Sequence, residues 1–218
     1  MKGVVVTNVS QKISAIKQSS LFKGLSDSEL FIIAEKAVLR EFPPHTLFIY
    51  QDEVKDTVYF IAQGLARIYR LSEDGNEVNI GLCGPGDVVG EMAVIRSAPR
   101  SANVQSIQTI TVLELSAHDF NLLLQRNPEI AVHLLQIFSQ RLQNNNIYME
   151  EVLSKNLKER TYDILQSLGK YFPNNDVVLS QEELAIIVGA TRARVTEVLQ
   201  FLEKERKIVL SHRKIHIC

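Results

Sequence analysis

The apolar pattern changes period several times along the chain, and each change marks a different kind of element. Residues 13–40 read as helical, with a capping box formed by Ser26 and Glu29 ahead of Leu30, Ile32, Ile33 and Ala34. Pro43-Pro44 ends that pattern. From Thr46 to Leu115 the texture becomes short β-rich runs, predicting strands at 47–50, 58–62, 66–71, 78–82, 101–106 and 109–115. Gly64, Asp74-Gly75 and Gly84-Pro85-Gly86 punctuate them, and Asp74-Gly75 reads as a hairpin tip. So many short strands at close spacing argue for a sandwich or jelly-roll barrel.

A helical period returns after Asn127-Pro128 and runs to about Leu153, with two apolar stripes. Leu134 and Ile137 form one, suited to packing on the barrel. Ala131, Leu135, Phe138, Leu142, Asn145, Met149 and Val152 form the other, at spacings of four and three, which is a coiled-coil seam. Asn145 interrupts it, and a polar residue at a seam position costs stability while fixing register.

A further helix is predicted from Lys158 to Gly169, then a loop at Pro173-Asn174-Asn175-Asp176. Ser180-Gln181-Glu182-Glu183 makes a second capping box, Val188-Gly189-Ala190 turns the chain, and Thr191 caps the next helix. This helix, glycine turn and helix have the spacing of a DNA-binding unit. At about 100° per residue, Val195, Val198, Leu199 and Leu202 point to the core. Ala193, Thr196, Glu197 and Gln200 point away, with Arg192 and Arg194 on the flanks. Ile208-Val209-Leu210 and Ile215-His216-Ile217, joined through Arg213-Lys214, predict a two-stranded wing. The fold class is therefore α+β. We divide it into a β-roll domain at 1–127, a central helix at 128–153 and a winged helix-turn-helix at 154–218.

Charge sharpens this division. The 218 residues carry a net charge of only −1, but from Leu153 onward 11 Lys/Arg oppose 8 Asp/Glu, while the first 152 residues have a net charge of −4. A basic C-terminal third on an acidic chain points to a polyanion partner there. The run Val4-Val5-Val6 is too short for a signal peptide and no 18-residue apolar stretch occurs, so a cytoplasmic protein with no membrane partner is expected. Cys83 and Cys218 lack metal-ligand spacing and suit a reducing compartment. His45, His118, His133, His212 and His216 form no ligand set, so no metal is expected. No Ser/Cys–His–acid spacing and no phosphate loop for a triphosphate occur, which argues against an enzyme.

The chemistry concentrates in residues 86–102, Gly-Asp-Val-Val-Gly-Glu-Met-Ala-Val-Ile-Arg-Ser-Ala-Pro-Arg-Ser-Ala. Gly90 permits close approach to the backbone. Glu91-Met92-Ala93 can form one helical turn whose free N–H groups face an anion. Arg100 offers a fixed charged fork suited to a phosphate, and Ser101 a hydroxyl. A carboxylate would repel that phosphate, so Glu91 fits only if it accepts from a neutral hydroxyl such as a ribose 2′-OH. Phosphate plus sugar hydroxyl means a nucleotide.

These residues resemble the phosphate-binding cassette of cyclic-nucleotide-binding domains, and the spacing Phe60-Ile61-x-x-Gly64 also resembles that family. The stretch from Leu179 to Ala185 with Val188-Gly189-Ala190-Thr191-Arg192 looks like the winged helix of the cyclic AMP receptor protein/fumarate-nitrate regulator family. The resemblance runs from about Leu21 to Ile217. It implies that Glu91 binds the ribose 2′-OH and Arg100 the cyclic phosphate, assisted by Ser101 and the backbone from Gly90 through Met92 to Ala93. It also implies a homodimer through the central helix, where residues at one level touch the purine. They are commonly Thr-Ser in that family and are Asn145 and Asn146 here. A threonine beside the cassette arginine often favours guanine in the family, and Ser101 imitates it only in part, so cyclic AMP is preferred over cyclic GMP.

The implied function is a cyclic-nucleotide-responsive regulator that binds double-stranded DNA, with RNA polymerase as a further partner if it activates. The alternative is a regulator of the same fold with another effector, or with a ligand-independent pocket. The DNA-facing candidates are Ser180, Thr191, Arg192, Ala193, Arg194, Thr196, Glu197, Gln200, Arg213 and Lys214. In the cyclic AMP receptor branch an Arg-Glu pair opens the recognition helix, and a second arginine follows four residues after the glutamate. This chain has Arg192, Ala193 and Glu197 there, so the DNA sequence read should differ. No cysteine precedes Cys83, which excludes the iron-sulfur sensing of the redox branch.

Overall fold

The computed structural model describes residues 4–6, 9–212 and 214–218, without the side chains at 4–6, 148 and 151–153. Arg213 and the seam side chain of Val152 therefore lie outside the described residues. Two compact units are present, Met1–Asn76 with Ile80–Gln140, and Glu77–Asn79 with Arg141–Cys218.

The first unit is a two-sheet roll with helices packed on it. After β1 (Val4–Val6) come α1 (Val9–Gln18) and α2 (Asp27–Lys36). Both bonds of the expected Ser26–Glu29 capping box open α2. The helical reading of 13–40 runs too far, because β2 (Val38–Phe42) is a strand. It pairs with β9 (Ile110–Ser116) in register from Val38 opposite Glu114 to Phe42 opposite Ile110. That ladder overrides the local period. β3 (Leu47–Ile49), β4 (Thr57–Gln63), β5 (Ala66–Leu71), β6 (Glu77–Cys83), β7 (Val88–Val89) and β8 (Asn103–Ser106) complete the roll. One sheet has the order β1-β2-β9-β4-β7 and the other β3-β8-β5-β6. The strand expected from 101 begins only at Asn103, leaving Ser101 in a bend.

β4 explains why the middle of the chain reads as continuously apolar. Val58, Phe60 and Ala62 join a core with α1, α2 and the following helices. Tyr59 and Ile61 face the roll interior with Phe42, Phe48, Val104 and Val112. A strand covered on both faces loses the polar half of its alternation. Phe60 sits between Phe22 and Phe120, with ring centroids 4.9 and 6.1 Å away. Burying such a side chain is worth about 1.5–3 kcal/mol.

α3 (Glu91–Arg96) interrupts the strands, and α4 (Ala117–Arg126) leads into α5 (Pro128–Ser154). On α5, Ile130 and Leu134 are buried, and Ile137 and Phe138 pack partly against the same core. Leu135, Leu142 and Met149, seven residues apart, are 66, 65 and 62% exposed. Phe138, expected in that exposed seam, is thus drawn partly toward its own core.

In the second unit, α6 (Leu157–Gly169) opens on an Asn156–Glu159 capping box that the sequence reading passed over. α7 (Gln181–Val188) carries the expected Ser180–Glu183 box. The chain turns at Gly189, with φ of 73°, into α8 (Arg192–Lys204), capped by Thr191. Leu184, Ile187, Val195, Leu199 and Leu202 are buried between these helices, and Val198 is half-buried. The wing has three strands rather than two. β11 (Ile208–Ser211) and β12 (Lys214–Ile217) are joined by β10 (Asp176–Val177), from the segment expected to be loop. Two residues are too few to leave a periodic signal.

Candidate functional site

The cassette is built around one buried arginine. β7 pairs with β4, Tyr59 opposite Val89 and Phe60 opposite Val88, which delivers Gly90 beside the start of β4. Gly90 takes φ of 84° and begins α3. The backbone of Arg100 is fixed from the other side: its N–H donates to Glu53 O at 3.0 Å and its carbonyl accepts from Asp52 N at 2.9 Å.

The Arg100 side chain is only 2% exposed. Nη1 donates to Gly90 O at 2.6 Å, and Nη2 to Thr57 O at 2.5 Å and Thr57 Oγ1 at 3.0 Å. Nε is buried without a partner. Burial pulls the guanidinium below the usual arginine range, opposed by Tyr59, Glu53, Glu91 and Asp56. The group against the Gly90 Cα is the arginine itself. A Cβ there would overlap Nη1 and lie 3.1 Å from Cζ.

Gly90, Glu91, Met92, Ala93, Arg100 and Ser101 fall together in this one cassette. Glu91 is 2% and Ala93 9% exposed, whereas Met92 is 45% exposed and Ser101 is also exposed. Asn145 and Asn146 are exposed on the part of α5 that belongs to the second unit. Sequence reasoning missed Thr57, Glu53 and Tyr59 as the surroundings of Arg100. No spacing rule links them to it, because Thr57 lies 43 positions upstream.

In the second unit Arg192, Ala193, Arg194, Glu197 and Gln200 form the exposed face of α8. Arg192 Nε lies 4.0 Å from Glu182 Oε2, with both side chains 67% exposed, a pairing too loose and wet to hold the arginine. Three candidates are occupied within the protein. Ser180 Oγ accepts from Glu183 N at 3.2 Å and donates to Glu183 Oε2 at 2.7 Å, so this hydroxyl caps α7. Thr191 Oγ1 caps α8 by accepting from Arg194 N at 3.4 Å. Thr196, expected to point outward, is half-buried. Its hydroxyl is shared between Gln181 Oε1 at 2.7 Å and Arg192 O at 2.9 Å. In the wing, Lys214 Nζ meets Asp176 Oδ2 at 2.6 Å.

Among the described residues no group of three or more His, Cys, Asp or Glu side chains could hold a metal ion. No described helix is long and apolar enough to cross a membrane.

Residues 39–127 match the family described as Cyclic nucleotide-binding domain. The Cyclic AMP receptor protein of Thermus thermophilus is 27% identical over 207 residues, 93% of this chain and 94% of its own length. A CRP/FNR-family transcriptional regulator, also from Thermus thermophilus, superposes with a TM-score of 0.68 at 25% identity, over 83% of this chain and 93% of that one. The c-di-GMP responsive global regulator CLP of Xanthomonas campestris gives a TM-score of 0.72 at 22% identity, over 85% and 95% of the two chains, a likeness of fold. The last two are regulators by name. The roll matches the cyclic nucleotide-binding domain, and most of the chain, with its long helix and winged helix-turn-helix, is similar to a transcriptional regulator of the CRP/FNR family.

Proposed function

We propose that this chain is a dimeric DNA-binding transcription regulator of the cytoplasm, and that its roll takes a cyclic nucleotide, cyclic AMP ahead of cyclic GMP. The observation that carries the ligand reading is Arg100, a nearly inaccessible guanidinium whose Nε donor has no partner. A buried donor left unsatisfied costs about 1–3 kcal/mol, and a phosphate oxygen is the acceptor that would satisfy it. Glu91 takes the ribose 2′-OH, while Ser101 and the backbone from Gly90 to Ala93 assist. Asn145 and Asn146 can donate to and accept from a base edge.

The exposed Leu135, Leu142 and Met149 stripe supports association through α5. Ligand binding would favour one packing of the two units about residues 152–157, bringing two α8 helices onto successive major grooves about 10 base pairs apart. Arg192, Ala193, Arg194, Glu197 and Gln200 are the side chains offered to the groove. An activator would also engage RNA polymerase.

Calorimetry with cyclic AMP, cyclic GMP and c-di-GMP tests the effector. A hydrogen bond to a charged group is worth about 1.5–3 kcal/mol, so Arg100→Leu should weaken cyclic AMP at least tenfold in a protein that stays folded. Unchanged affinity in that variant rules the site out. A second reading, another effector or none, is favoured by the bonds that already hold both terminal nitrogens of Arg100 on Gly90 and Thr57. DNA binding that persists with no heat from any cyclic nucleotide would select it.

A further inference from the structure

We propose that Asp176 is an electrostatic brake on the wing: its carboxylate engages Lys214 and so withholds that lysine's charge from DNA phosphate. The inference rests on the DNA-binding reading above.

The arrangement follows from strand register. β10 runs antiparallel to β12 with Asp176 opposite His216 and Val177 opposite Ile215. Lys214 and His216, two residues apart, share one face of β12, while Ile215, Ile217 and Val177 are buried. Asp176 thus stands between the Lys214 and His216 side chains of its own face. Its Oδ2 lies 2.6 Å from Lys214 Nζ and its Oδ1 2.8 Å from His216 Nδ1. The carboxylate is also the least accessible member, with its side chain 19% exposed against 43% for Lys214 and 44% for His216. Hydrogen bonds from Lys214 and then His216 hold the Asp176 carboxyl below the usual carboxylate range, so it stays charged at neutral pH.

Such a half-exposed pair contributes little to folding. Its consequence lies in binding. Affinity for duplex DNA comes from phosphates neutralised by free cations, each adding about 0.9 to the slope of log affinity against log salt. A lysine already paired with a carboxylate brings almost no net charge to the backbone. Lys214, one of the DNA-facing candidates, then reaches a phosphate only by giving up Asp176.

Asp176→Asn keeps the side chain's shape and an oxygen that can still accept, while removing the charge. With the ligand-free full chain and a duplex of random sequence, it should steepen the salt slope by about 0.9, so that affinity falls about threefold further between roughly 50 and 200 mM salt. Adding Lys214→Ala should abolish that gain. Lys214→Ala alone, with Asp176 in place, should change the slope by less than half as much, a result that stands even if Asp176→Asn fails to fold. An unchanged slope in folded Asp176→Asn, a gain that survives without Lys214, or a full loss from Lys214→Ala alone would each overturn the proposal. A wild-type chain with no salt-dependent DNA binding would remove the DNA reading as well, whereas wild-type binding with any of those three results removes only the brake.

Discussion

Gly90→Ala tests whether the cassette turn and its arginine form one mechanical unit. Gly90 holds φ of 84°, and a Cβ built there overlaps Arg100 Nη1 and falls 3.2 Å from Thr57 O. Two costs follow. A left-handed backbone costs a residue with a Cβ roughly 1–2 kcal/mol. The guanidinium must also leave Gly90 O and Thr57 O, and water cannot readily replace them around a side chain that is 2% exposed. Losing one such charge-assisted bond costs about 1.5–3 kcal/mol, so the total should reach roughly 2.5–5 kcal/mol. Gly75→Ala supplies the control, because Gly75 has φ of 77° and a Cβ there meets nothing within 4 Å. It should show the backbone cost alone, roughly 1–2 kcal/mol.

A whole-chain melt would mix the two units and is not a two-state measurement. Hydrogen exchange at β4 and β9 amides, central in the five-stranded sheet, reads the opening of the roll by itself. Gly90→Ala should also abolish cyclic AMP binding that Gly75→Ala retains. If the two alanines destabilise the roll equally, to within about 0.5 kcal/mol, the guanidinium moves aside freely and the cassette is not the rigid unit described above.

Leu142→Glu should convert dimers to monomers in sedimentation. Leu142 is 65% exposed, and burying such a side chain in each of two subunits is worth about 1.5–3 kcal/mol apiece; a wild-type chain that is already monomeric at micromolar concentration refutes the seam. Phe138 is a poorer probe because it packs partly on its own core. Arg192→Ala should cost about 1–3 kcal/mol on the preferred DNA and relax preference at one position per half-site. Sequences selected from a random pool read this directly, and an unaltered motif would leave Arg192 as a backbone contact only.

What was legible in the sequence and what was not follow from the range of the interactions involved. The Ser26–Glu29 and Ser180–Glu183 boxes and the Asp74-Gly75 tip are complete within a few residues, so their types are sufficient to place them. The order Gly90-Glu91 then Arg100-Ser101 is likewise a local signal, and the structure gathers those residues into one cassette. β2 merges with the preceding helix in the sequence pattern because its identity comes from pairing with β9, which lies far along the chain. β7 and β10, two residues each, are strands only through their partners. The same limit governs the chemistry. A charged residue can be placed on a face from its period, but whether its charge is free depends on neighbours from distant segments. Thr196 faces outward by its helical angle, yet its hydroxyl bonds Gln181 on the preceding helix. Lys214 reads as a DNA-facing candidate from its position in the wing, and nothing around it announces Asp176. That carboxylate sits 40 positions before His216, in a segment that reads as loop, until strand pairing carries it to the same face. Helix period thus predicts which residues face outward, and tertiary pairing decides how much free charge each of them carries.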